Sequence, residues 1–181
     1  MNEELEVLKT VAERLETAGL AYMLTGSMAV NYYAIPRMTR DIDVVVELSA
    51  EDADRVCRLF EEDFYVDSDA VRRSIRERGM FNIIHSAFVI KVDLVVRKES
   101  EYRRVEFARR RRVSVEGCGL FMVAPEDLIL SKLDWARDSR SGAQLGDVRN
   151  LLTSIPGLDQ AYLARWASRL GLDALYREVS R

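Results

Sequence analysis

Asp41-Ile42-Asp43-Val44-Val45-Val46 sets two carboxylates alternately with aliphatic side chains and then runs on without a polar residue. Successive side chains of a strand point to opposite faces, so Asp41 and Asp43 share one face while Ile42, Val44 and Val46 share the other. Two charges beside so apolar a strand are costly unless something cationic compensates them. The stretch Ile90-Lys91-Val92-Asp93-Leu94-Val95-Val96 repeats the design, with Asp93 on one face and Val92, Leu94 and Val96 on the other. If the two strands are neighbours, three carboxylates converge. A hard divalent ion with oxygen ligands, such as Mg2+, is then the natural counter-charge.

Upstream, residues 20–25 form a short apolar run closed by Gly26-Ser27, which reads as a buried strand entering a tight turn. Residues 27–34 follow as a short helix that Pro36 brings to an end. Backbone N–H groups at a helix start, together with a hydroxyl, suit a phosphate, and Gly26 lets a backbone approach closely. Arg40, immediately before Asp41, is placed either to clamp phosphates or to pair with that carboxylate.

Working outward, an amphipathic helix is expected over 3–18 and another from Ser49 through Glu62. A strand at 64–66 precedes a charged helix over 69–78 stopped by Gly79. Residues 81–88 and 90–96 are joined too closely for a crossover and so form an antiparallel hairpin. Residues 99–112 read as a basic helix or loop, 113–115 and 120–123 as short strands around Gly117-Cys118-Gly119. Pro125 opens a helix to about residue 138, followed by a polar linker at 139–146 and two or three more helices, one over 162–170. Strands concentrate before residue 124 and helices after it. The expected fold is therefore α/β (α+β): a mixed sheet flanked by helices over residues 1–124, with a helical C-terminal extension, 125–181, packed on it in one compact unit.

The 181 residues are 48% hydrophobic and 31% charged, enough for a full core without disulfide or metal staples. The net charge of −3 hides a division, with residues 1–63 carrying −8 and residues 97–112 carrying +5. The basic segment, Arg103, Arg104 and Arg109 to Arg112, is either a solvated face or a landing strip for an RNA acceptor. Cys57 and Cys118 are expected as free thiols, and His85, the sole histidine, as a hydrogen-bonded, half-buried side chain. The start Met1-Asn2-Glu3-Glu4 is acidic where a leader would be basic, and no apolar run approaches the ~20 residues of a membrane span. A cytoplasmic protein with no membrane partner is expected. P-loop, dinucleotide-binding and zincin motifs are absent.

Gly26-Ser27, thirteen residues, Asp41-Ile42-Asp43, then Asp93 fifty residues later resembles the nucleotidyltransferase superfamily related to DNA polymerase beta. Thr39-Arg40-Asp41-Ile42-Asp43 with Ala124-Pro125-Glu126-Asp127-Leu128-Ile129-Leu130-Ser131-Lys132-Leu133 is similar to small bacterial members that include AbiE-type toxins. The resemblance spans about residues 20–155. It implies a nucleoside triphosphate held at Gly26 and Ser27, and two Mg2+ ions, with Mn2+ as the alternative, held by Asp41, Asp43 and Asp93. It also implies transfer of a nucleoside monophosphate to a hydroxyl of RNA, protein or a small molecule. Lys132 lies on the apolar stripe Ile129, Leu133, Ala136, an odd place for a solvated charge; the resemblance places a phosphate-binding lysine on this helix. Asp147 is positioned to face Lys132, but Gln144-Leu145-Gly146 before it departs from the family pattern and leaves its role open. The alternative to an enzyme is a non-catalytic nucleotide-binding or interaction module, such as one member of a toxin-antitoxin pair with a cognate protein partner.

Overall fold

The computed structural model describes residues 3–180, so Met1, Asn2 and Arg181 lie outside the described residues. Seven strands form one mixed sheet in the order β3-β4-β5-β2-β1-β7-β6. These are β1 (Tyr22–Thr25), β2 (Ile42–Val46), β3 (Phe64–Val66), β4 (Met80–His85), β5 (Ile90–Val96), β6 (Arg111–Val115) and β7 (Cys118–Met122). Only the β2–β5 and β1–β7 pairs are parallel. The nine α-helices among the described residues are α1 (Glu3–Thr17), α2 (Gly26–Tyr33), α3 (Ala53–Phe60), α4 (Ser68–Glu77), α5 (Glu101–Ala108), α6 (Pro125–Ser139), α7 (Gly142–Ser154), α8 (Gln160–Arg169) and α9 (Asp173–Val179). The mixed α/β architecture is the one the sequence predicts.

The sheet is built from the alternation seen in the sequence. Ile42, Val44 and Val46 of β2 and Val92, Leu94 and Val96 of β5 are fully buried, and residues of β1 and β7 between them and α1 extend the same core. Burial of each such side chain contributes roughly 1.5–3 kcal/mol, so the central strands anchor the fold. After β7 the chain enters α6 with Pro125 at its first turn, as expected, and α6 is buried along nearly its whole length from Pro125 to Leu133. It packs against α2, α7 and α8, which joins the C-terminal helices to the strand-rich part.

Four expectations change. The helix over 69–78 is ended by Arg78 in the left-handed conformation (φ 49°), with Gly79 supplying a backbone N–H to Ser74. The predicted linker 139–146 is two residues long, because Ser141 caps α7, which begins at Gly142. The helix expected from Ser49 starts as a 3-10 turn with a Ser49–Asp52 capping box before α3 begins. The basic stretch 99–112 divides between α5 and the start of β6, and the β6–β7 turn is Glu116-Gly117 rather than the stretch through Cys118 and Gly119.

Candidate active site

Registry across the sheet assembles the site. Thr25 pairs with Asp43, Asp43 with Asp93, and Asp93 with Asn82, so one polar row crosses β1, β2, β5 and β4. Partners on neighbouring strands are about 4.8 Å apart and point to the same face, which brings Asp43 and Asp93 side by side. The condition left open by the sequence is met: the two strands are neighbours, and parallel. Asp41 lies just before β2, with a side chain 65% exposed at the mouth of the row, while Asp93 is buried.

The turn after β1 closes on this row. Gly26 adopts φ +66°, and a Cβ built there would meet Asp43 Oδ2 at 1.9 Å. Any side chain at position 26 would therefore occupy the space of the carboxylate. Ser27 lies in the first turn of α2, whose leading N–H groups receive no side-chain cap from Thr25. An anion at that helix start is favoured by the free donors and the dipole together.

The charge balance of the row is uneven. Lys91, two residues before Asp93 and so on the same face, donates to Asp93 Oδ2 at 2.7 Å and reaches Asp41 Oδ1 at 3.8 Å. Its hydrogen bond to Asp93 raises its pKa. Asp43 has its pKa raised by burial and by the neighbouring Asp93 and Asp41 charges, with Lys132 and Lys91 only partly opposing this. Asp93 Oδ1 is buried without a hydrogen-bond partner. Among the described residues no three His, Cys, Asp or Glu side chains form a ready-made metal cage. Lys91 is the cation between Asp41 and Asp93. An orphaned buried carboxylate oxygen beside a second carboxylate that resists ionisation nevertheless fits a divalent cation by donor chemistry.

Beyond the row stand the cations. Lys132 on α6 is 5% exposed, and its ammonium meets Asp147 Oδ2 on α7 at 2.9 Å and Gln144 Oε1 at 2.9 Å. Gln144, where the sequence departs from the family pattern, is thus a partner of the lysine. Arg37 reaches the same carboxylate from the loop between α2 and β2 and donates to Ser27 Oγ at 2.7 Å. Arg40 is exposed and makes no ion pair with Asp41 among the described residues. It lines, with Glu3, Glu4, Asp41 and Lys91, a hollow of about 140 Å3 beside the row. Lys91 and Arg37 carry no role in the sequence reading. Lys91 was signalled by its two-residue offset from Asp93; nothing in the sequence separates Arg37 from Arg40.

The basic run lies elsewhere. β6 is three strands from β2, and its arginines face protein carboxylates and rings. Arg109 pairs with Asp127 and Glu126, Arg112 with Glu16, and Arg103 with Glu106 and Asp134, while Arg110 stacks on Phe107. His85 stacks on Phe88 and accepts from its backbone N–H, and both cysteines are free, as expected. Among the described residues no helix is long and apolar enough to cross a membrane.

The family described as Aminoglycoside-2''-adenylyltransferase matches residues 7–117, a span containing Gly26, Ser27, Asp41, Asp43 and Asp93 but ending before α6. No curated protein matches the chain. An antigenic nucleotidyltransferase-like protein from Paracoccidioides brasiliensis superposes with a TM-score of 0.60 at 15% identity, over 99% of this chain and 93% of that one. The antibiotic-resistance factor ANT(2'')-Ia gives 0.59 at 14%, over 97% and 96%. The lincomycin-bound lincosamide antibiotic adenylyltransferase LnuA gives 0.56 at 12%, over 86% and 98%. At these identities the three likenesses concern the fold.

Proposed function

Because this chain belongs to the aminoglycoside-2''-adenylyltransferase family, within the nucleotidyltransferases, we propose that it moves a nucleoside monophosphate from a triphosphate, ATP first among them, to a hydroxyl of a small amine-bearing molecule. The observation that carries this is the row Asp43–Asp93, with a buried Asp93 oxygen left unpartnered and Gly26 pressed against Asp43. Asp41, Asp43 and Asp93 are the residues that would hold divalent cations, two Mg2+ or Mn2+. Bound there, such ions neutralise the triphosphate and acidify the attacking hydroxyl.

The chain's own residues do the rest. Ser27 and the N–H groups opening α2 hold the phosphates, with Gly26 admitting them close to the backbone. Lys132, fixed on Asp147, adds positive charge on the same side. Asp93 takes the acceptor's proton. The acceptor oxygen forms a bond to the α-phosphorus as the bond from that phosphorus to the bridging oxygen breaks, and pyrophosphate leaves. Positioning and charge neutralisation suffice for such a transfer, so no covalent nucleophile is needed.

The family supports a small, cationic acceptor. The internal pairing of Arg103, Arg109 and Arg112 favours a small-molecule acceptor over an RNA landing strip. Incubation with α-labelled ATP, Mg2+, a panel of aminoglycosides and lincosamides, and bulk tRNA tests the assignment. Label on a small molecule, absent in Asp43→Asn, is expected. Label on tRNA or on the protein itself would instead support the AbiE-type branch, and Mg2+-dependent ATP binding without any transfer would support a binding module.

A further inference from the structure

Asp147 is 4% exposed and sits among Leu145, Val148 and Leu151, yet its carboxyl is held below the usual carboxylate range. Burial works against that, and hydrogen bonds from Arg37 and Lys132 overcome it. Arg37 grips it as a fork, Nε to Oδ1 at 2.8 Å and Nη2 to Oδ2 at 2.9 Å, and Lys132 shares Oδ2 at 2.9 Å. A structural ion pair needs one cation. Here two cations from different elements meet one anion, which leaves net positive charge beside Ser27, the hydroxyl that Arg37 Nη2 also touches.

The loop carrying Arg37 is itself fixed. Asn31 accepts from the Arg37 N–H and donates to its carbonyl, while Asn150 on α7 does the same for Ile35. The Arg37 side chain remains 41% exposed, so a ligand at the start of α2 can reach it. A guanidinium in this position is suited to phosphate by its planar donor fork.

We propose that Arg37 is a phosphate-contacting residue of the transfer site, and that Asp147 is the positioning residue that fixes Arg37 and Lys132 together over Ser27. This rests on the triphosphate being held at Gly26 and Ser27. The probe is inorganic tripolyphosphate with Mg2+, which carries the shared chemistry of every donor nucleotide, titrated calorimetrically into the full chain. Arg37→Ala is expected to weaken binding roughly ten- to a hundredfold, as loss of charged hydrogen bonds does. Arg37→Lys recovers part of this, keeping charge but losing the fork. Asp147→Asn also weakens binding, although it removes a negative charge near a polyanion; charge alone would make it tighter. Arg37→Ala is expected to melt lower but stay folded, because Lys132 still meets Asp147 and the Arg37 side chain is partly exposed, so it can be titrated even if Asp147→Asn does not fold. Wild-type affinity in Arg37→Ala, or tighter binding in Asp147→Asn, overturns the inference while leaving the phosphate site standing. No tripolyphosphate binding by the wild type overturns the phosphate site itself, and the inference with it.

Discussion

Two regions of this molecule bury carboxylates, and they treat them in opposite ways. Between α5, α6 and α8, Asp127 is fully buried and accepts from Arg109 Nε at 2.8 Å and from the Tyr162 hydroxyl. Glu106 accepts from Arg103 and Ser131, and Glu126 from Arg109 and the Asp159 backbone. Each charge there finds its partner within the chain. In the sheet row, Asp43 shares its space with two like charges, and among the described residues Asp93 Oδ1 is the one buried carboxylate oxygen without a partner. A buried carboxylate therefore has two meanings. A satisfied network fixes helices to one another, and an unsatisfied row stores a demand for something from outside.

The comparison can be broken at either end. The largest effect is expected in the row: Asp43→Asn lowers nucleotidyl transfer by about a thousandfold, in line with loss of a group that stabilises transition-state charge. Radiolabel transfer measures it, and the protein remains folded. In the network, Asp127→Ala is expected to cost about 3 kcal/mol of unfolding free energy, read by urea titration, because Arg109 and Tyr162 lose their shared acceptor. Its effect on transfer, per folded molecule, should be small.

Smaller and sharper is the pH dependence in metal-free buffer. The Asp43 pKa is raised in the fold, so its charge opposes folding at pH 7. Asp43→Asn should then melt higher than wild type at pH 7, an advantage that fades as pH falls through the raised folded pKa and is gone below about 4, where Asp43 is protonated in both the folded and the unfolded state. Asp147 has its pKa lowered, so it stabilises the fold above the ordinary carboxylate value and loses that contribution as pH falls. Asp147→Asn should melt lower at pH 7 and converge on wild type in acid. Melting curves from pH 3 to 8 check both signs. The smallest effect concerns the basic run: Arg109 and Arg112 are spent on Asp127 and Glu16, so neutralising the exposed Arg104 should change binding to single-stranded RNA by less than about twofold in filter binding.

How far the sequence reaches depends on the range of the interaction. Alternation along a strand is local, so the faces of Asp41, Asp43 and Asp93 follow from period two, and the hairpin of β4 with β5 follows from a connection too short for a crossover. That β2 lies directly beside β5 does not follow from any short-range signal; it is the condition for convergence that only the fold supplies. The helix start at Gly142 was hidden because Gly, Ser and Gln look like linker, whereas Ser141 serves as a cap and Leu145, Val148 and Leu151 supply a buried face. Arg37 was indistinguishable from Arg40 because a loop has no period. Its partner Asp147 is 110 residues away in the chain, and only packing of α7 against α2 brings them together. The role of the arginine run is open in the composition, since the acids that meet it from afar, Glu126 and Asp127 on α6 and Glu16 on α1, are brought to it only by the fold.

On the proposed function, the unsatisfied row is a divalent-cation and triphosphate site. Calorimetric titration of ATP into wild type and Asp43→Asn, each with Mg2+ and with EDTA, tests it without needing the acceptor. The account predicts one-to-one binding to wild type that requires Mg2+ and is weakened at least tenfold in Asp43→Asn. Binding that is indifferent to Mg2+ or unchanged in Asp43→Asn, or no binding at all, would contradict it.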